Sequence, residues 1–127
     1  MSMGKNKSMN IKTNIIISRS SFSNSDFKEA VDLGLVCAAF DQEVNLIFVD
    51  SGITNLIKNQ SAEKVDDKNQ VDILKGLEFY DIDNIIIEQE SLDLTRLETS
   101  HFINSVKIKT RAEINKLNQN ANHLVSI

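Results

Sequence analysis

Glu88, Glu90 and Asp93 follow directly on three isoleucines at residues 85–87. Carboxylates placed together in this way are candidates for a general base or for holding a hard cation. The isoleucine run is short, β-branched and without polar alternation, the pattern of a strand buried on both faces. In an open α/β sheet, the loop beyond a strand's carboxyl end is where ligands bind. The stretch 76–92, GLEFYDIDNIIIEQESL, thus joins a helix end, a polar turn, a buried strand and a charged loop. The plainer reading of its acids is a solvated loop, because acidic side chains rarely leave water.

Other residue types invite other chemistry. Arg19, Ser20 and Ser21 stand where an anion would meet a helix start, but the surrounding SRSSFSNSD has no glycine. Neither a dinucleotide fingerprint nor a P-loop occurs, and a backbone cradle for phosphate needs glycines at close approach. A solvated capping loop is the simpler account. Asp50 ends a second apolar run, where an acid can bind a ribose hydroxyl; without the glycine fingerprint, Asp50 and Ser51 read as caps and Gly52 as a backbone release. Cys37 sits in the middle of a helical pattern with no cationic neighbour, which favours a buried, inert thiol over a reactive one. His101 and His123 are far apart, form no i, i+4 metal pair and accompany no nucleophile-elbow motif, so both read as structural or surface groups.

The elements that would position these residues alternate. Strands are expected at 14–18, 44–49 and 84–87, a weaker one at 104–108, and a last one at 122–127. Helices are expected from Ser25 or Asn24 as cap to about Phe40, at 71–78, and from the cap Thr110 to about Asn118, with Glu113 completing a capping box. Residues 53–57 and 92–97 read as short helical turns, Asp41 and Gln42 as a tight turn, and 58–69 as a polar loop. The β-α-β order predicts one three-layer α/β domain with a mostly parallel five-stranded sheet, flavodoxin-like or related. Residues 1–10 read as a flexible leader and 11–127 as the domain. The abundant asparagines are read as compositional.

Bulk properties narrow the function classes. The chain has 127 residues, 41% hydrophobic and 25% charged, with a net charge of −4. That size suits one domain with a real core, and the acidic balance argues against nucleic-acid binding by this chain alone. One cysteine permits no internal disulfide or cysteine zinc site and suggests a reducing, cytoplasmic setting. No apolar run is long enough to span a membrane.

Several segments carry a family resemblance, in order and spacing together. They are IIIS at 15–18, EAVDLGLVCAAF at 29–40, LIFVDSGITNLIKNQ at 46–60, LKGLEFYDIDNIIIEQESL at 74–92 and HLVSI at 123–127. With them the chain resembles the DsrE/DsrF/DsrH-like sulfur-relay superfamily, and within it the DsrF/TusC branch. The resemblance implies a small α/β subunit that assembles with a DsrE/TusD-like and a DsrH/TusB-like subunit in a heterohexamer holding two copies of each. Such complexes pass persulfide sulfur between carrier proteins, for 2-thiolation of the tRNA wobble uridine or for sulfur oxidation. The sister's sulfur-carrying cysteine lies just after its third strand, a place that corresponds here to about Glu88. A carboxylate cannot attack a donor sulfur as a thiolate does.

The expectation is therefore a non-catalytic subunit with no catalytic, cofactor-binding or metal-ligating residue and no cofactor. Ile53, Phe79 and Tyr80 are candidate interface anchors, or else fill the chain's own core. A homo-oligomer is a further expectation for the chain alone. The alternative is a free-standing enzyme or ligand-binding domain, with Arg19, Asp50 and Glu88 around a pocket at the strand carboxyl ends.

Overall fold

A computed structural model of the chain describes residues 11–20, 26–57, 82, 84–102 and 106–127. Its strands are β1 (Lys12–Ile17), β2 (Glu43–Phe48), β3 (Asn84–Glu88), β4 (Val106–Lys109) and β5 (His123–Ser126). Its helices are α1 (Asp26–Ala39), α2 (Gln89–Asp93) and α3 (Arg111–Gln119), with 3-10 turns at Asp50–Leu56 and Thr99–His101. All four strand pairings are parallel, in the order β4-β3-β2-β1-β5. The three-layer parallel architecture is the expected one. The strand order is that of a related domain and differs from the flavodoxin order 2-1-3-4-5. The expected helix at 71–78, the polar loop at 58–69, the leader and the N-cap of α1 lie outside the described residues.

The two faces of the sheet are built differently. Ile15, Ile17, Val44, Leu46, Phe48, Ile85 and Ile87 point to one face and pack with Phe27, Ala30 and Val31 of α1. The rings of Phe27 and Phe48 meet at 6.1 Å and 53°, a tilted pair. Ile53, Leu56 and Leu92 join the same core, so the loops after β2 and β3 also lie on this side. Ile53, one of the expected anchors, is fully buried here; its apolar surface is already used inside the domain. Phe79 and Tyr80 lie outside the described residues.

On the other face Ile47 and Ile86 pack against Ile114 of α3, with Ile16, Val49 and Leu117 at the margin. Beyond these, the face carries asparagines. Asn14, Asn45 and Asn84 stand in register on β1, β2 and β3, each opening a run of three or four apolar residues. Asn45 donates to the Asn14 carbonyl at 2.8 Å, and Asn14 donates to Asn118 of α3 at 2.9 Å. Lys107 of β4 donates to Asn84 at 2.7 Å. A buried amide must find partners, and here they fix α3 against the sheet. The asparagines are thus more than compositional.

One expected helix shifts. The short helix expected at 92–97 runs instead from Gln89 to Asp93. The Thr95 hydroxyl donates to the Leu92 carbonyl and accepts from the Leu97 N–H, which takes the backbone out of the helix. Thr110 caps α3 as expected, accepting from the Glu113 N–H while Glu113 accepts from the Thr110 N–H. The turn at Asp41 uses a left-handed backbone, φ 64°.

Candidate functional site

The chain steps from β1 to β4 across the sheet and then returns beneath it to β5. The loop after β3 leads to the α1 face, whereas the loop after β4 leads directly into α3 on the opposite face. Neighbouring strands whose loops part in this way open a crevice at their carboxyl ends, the usual place for a ligand. The β3–β4 gap is therefore the fold's natural site, and Glu88 stands in it as the last residue of β3, in register with Lys109.

Glu88 is buried, with 5% of its surface exposed. Arg111, the first residue of α3, donates from Nε to Oε2 at 3.0 Å and from Nη2 to Oε1 at 3.3 Å. The Ser91 hydroxyl, itself buried, donates to Oε1. Asp50, which holds a left-handed backbone at φ 51°, donates its N–H to Ser91 Oγ at 2.7 Å. Glu90 accepts the Arg111 N–H at 2.8 Å. The carboxyl ends of β2, β3 and β4 are thereby joined by one chain of polar contacts. The helix start receives two carboxylates, which complement its positive end.

This arrangement sets the chemistry. Hydrogen bonds from Arg111 hold the Glu88 carboxyl below its ordinary range, against burial, which pushes it up; Ser91 and the Arg111 charge assist. The same contact pushes the Arg111 guanidinium up. A carboxylate so stabilised is a weak base, and it cannot activate Ser91 as a nucleophile. Glu90 is occupied as an acceptor for the helix, and Gln89 bonds Asp93 on the surface. Among the described residues, no group of three or more His, Cys, Asp or Glu is arranged to hold a metal.

The other candidates scatter. Asp50 is exposed; its backbone N–H bonds Ser91, and its negative charge helps hold the Arg111 guanidinium up. Ser51 donates to the Ser18 carbonyl, and Asn55 to that of Arg19, which ties the loops after β1 and β2. Arg19 is exposed, Ser20 is half-buried, and Ser21 lies outside the described residues. Cys37 is half-buried against the α1 core, and its carbonyl accepts from Phe40 and Gln42 in the turn into β2. It therefore lies at the amino end of the strands and on the face opposite Arg111. His101 is exposed and accepts the Glu98 N–H through Nδ1; His123 opens β5 on the surface.

Sequence reasoning missed Arg111. Its signal was an arginine in the first turn of a capped helix, where cations are disfavoured unless an acid answers them. It missed the Asn14–Asn45 pair as well; the recurring asparagine before three apolar residues was the sign.

The solved structures give an independent view of the fold. The ychN protein from E. coli superposes with a TM-score of 0.75 at 14% identity, over 92% of this chain and 99% of that one. At that identity the likeness establishes the fold. No helix among the described residues is long and apolar enough to cross a membrane. Among curated proteins, a TusC homolog of Haemophilus influenzae is 33% identical over 95 residues, 72% of this chain and 80% of its own length. A TusC homolog of Aliivibrio fischeri is 28% identical over 98 residues, covering 76% of this chain and 83% of that protein. The intracellular sulfur oxidation protein DsrF of Allochromatium vinosum is 32% identical over 65 residues, about half of each chain (51% and 48%). The sequence model of the DsrE/DsrF-like family matches residues 12–127, and with its TusC and DsrF relatives the chain belongs to that family.

Proposed function

We propose that this chain is a non-catalytic, DsrF/TusC-type subunit of a cytoplasmic sulfur-relay complex. It supports a cysteine-bearing DsrE/TusD-like sister and a DsrH/TusB-like subunit in a heterohexamer, and carries no sulfur itself. The observation that supports this reading is Glu88. At the place that corresponds to the sister's sulfur-carrying cysteine, this chain holds a carboxylate engaged by Arg111 and Ser91. Persulfide transfer needs a thiolate that attacks the outer sulfur of a donor and later yields it to an acceptor. The sequence's single cysteine, Cys37, belongs to α1 at the other end of the strands. Residues 11–127 act as one unit in this proposal, and the relay serves 2-thiolation of the tRNA wobble uridine or sulfur oxidation.

The test is co-expression with DsrE/TusD-like and DsrH/TusB-like chains, gel filtration, then labelling with a persulfide donor carrying radioactive sulfur. Co-elution with label on the sister's cysteine is expected. Label on Cys37, or failure to co-elute with either partner, overturns the proposal. The ligand-pocket alternative has less support, because the Glu88 carboxylate is buried and already engaged by Arg111 and Ser91.

A further inference from the structure

The two edges of the sheet are protected unequally. β4 carries Lys107 and Lys109 on its α3-side face. Lysines on an edge strand discourage pairing with another chain. β5, at the other edge, reads His-Leu-Val-Ser, with no formal charge. Three of its four residues are exposed, and Leu124 is 53% exposed. The uncharged run extends over all eleven residues from 117 to 127, in a chain that is 25% charged. β5 contains no proline, and its register with β1 runs without a bulge from His123 to Ser126. Both edge strands are short, but the lysines that blunt the β4 edge have no counterpart on β5.

We propose that β5 pairs with β5 of a second copy of this chain, antiparallel, about a two-fold axis normal to the sheet. A second copy fits because each chain carries a net charge of −4, and two like-charged chains meet with least repulsion where neither presents charge. In this arrangement opposed residues belong to the same face of the joined sheet. Leu124 of each copy therefore lies beside the axis on one face, and the two leucines cover one another. The contact is isologous and closes at two copies. The outer edges of the joined sheet are then both β4, whose lysines stop further addition. The inference rests on strand order and charge, and is independent of the sulfur-relay reading.

The test is sedimentation velocity on the full chain purified alone, across a concentration series, with Leu124→Lys and Leu124→Val. A reversible monomer–dimer equilibrium is expected, weakened about tenfold or more in Leu124→Lys, where like charges oppose each other, and kept in Leu124→Val. Circular dichroism should be unchanged, since Leu124 is half-exposed. In a Cys37→Ala background, Leu124→Cys should form a disulfide-linked dimer on oxidation, which decides the matter even if the lysine variant misfolds. A wild-type chain that stays monomeric, a dimer unaffected by Leu124→Lys in a folded protein, or a Leu124→Cys chain that does not cross-link each overturns the proposal.

Discussion

Arg111 grips both carboxylate oxygens of Glu88 across a gap between loops that leave the sheet on opposite faces. One partner is buried and the other open: the side chain of Glu88 is 7% exposed and that of Arg111 58%. Water screens the pair from one side, which weakens it relative to a fully enclosed one. Its geometry still ties the layer of α2 to the layer of α3. Glu88, which stands in the crevice that the fold would offer to a ligand, is engaged by the protein's own side chains.

Glu88→Gln retains the shape and removes the charge. Loss of charge-assisted hydrogen bonds at a partly screened site should cost about 1–2 kcal/mol in urea unfolding. The pH dependence follows from the lowered native carboxyl. The unfolded chain takes up the proton first as pH falls, so wild-type stability from this group is complete above the ordinary value of 4.5 and is lost as pH drops through the native value. The stability gap between wild type and Glu88→Gln should therefore be constant near neutrality and close in acid. Glu113, also held low by the Thr110 N–H, is common to both proteins and cancels. A gap that stays open below the native titration would show that charge is not its origin.

Much of this was legible in the sequence, and the reasons are local. The runs at 15–17, 46–48 and 85–87 announce buried strands because β-branched and apolar residues have nowhere else to go. Thr110 with Glu113 announces α3, because both partners of a capping box lie within one turn. The Glu88–Arg111 pair was not legible, because it joins residues 23 positions apart through the strand order. The helix after β3 is expected too late in the sequence, at 92–97, with Leu94 inside it. Leu94 is 86% exposed, and the Thr95 hydroxyl ends the helix beside it. The sequence leaves Ile53 open between interface and core, since an apolar residue in a loop can serve either; it fills the core.

Two glycines should respond oppositely to alanine. A Cβ on Gly52 would stand 2.1 Å from the Ile17 carbonyl oxygen and 2.8 Å from its carbon, both backbone atoms. The end of β1 or the 3-10 turn must move, so Gly52→Ala should destabilise by about 3 kcal/mol, the upper range for overpacking. A Cβ on Gly34 of α1 would meet the side chains of Leu46 and Val44 at 3.5 Å and of Ile15 at 3.7 Å, ordinary contacts. Gly34→Ala should stabilise by about 0.5–1 kcal/mol through helix propensity. Thermal melts of the two variants check this; a Gly52→Ala protein as stable as wild type would contradict the close approach.

The asparagine row should show coupling. Asn14 is fully buried and serves both Asn45 and Asn118. Asn14→Ala leaves the Asn45 amide without that acceptor, at a cost of about 1–3 kcal/mol. Asn45→Ala in the same background removes the orphaned group. The double variant should thus cost less than the sum of the singles, by about 0.5–1.5 kcal/mol in a denaturant cycle. Strict additivity would mean that the two amides do not depend on each other.

Ser91 is the joint between Asp50 and Glu88, accepting from one and donating to the other. Ser91→Ala removes both bonds but leaves Arg111 in place. Arg111 is the larger influence on the Glu88 carboxyl and Ser91 the smaller. Carboxyl-carbon NMR should therefore find the Glu88 titration raised in Ser91→Ala and raised further in Arg111→Met. The Asp50 N–H loses its acceptor in the serine variant alone, so its amide exchange should quicken there and not in Arg111→Met. If both variants speed the Asp50 amide equally, the Arg111 contact is holding the serine in place, and the loops after β2, β3 and β4 behave as a single cooperative unit instead of two adjoining contacts.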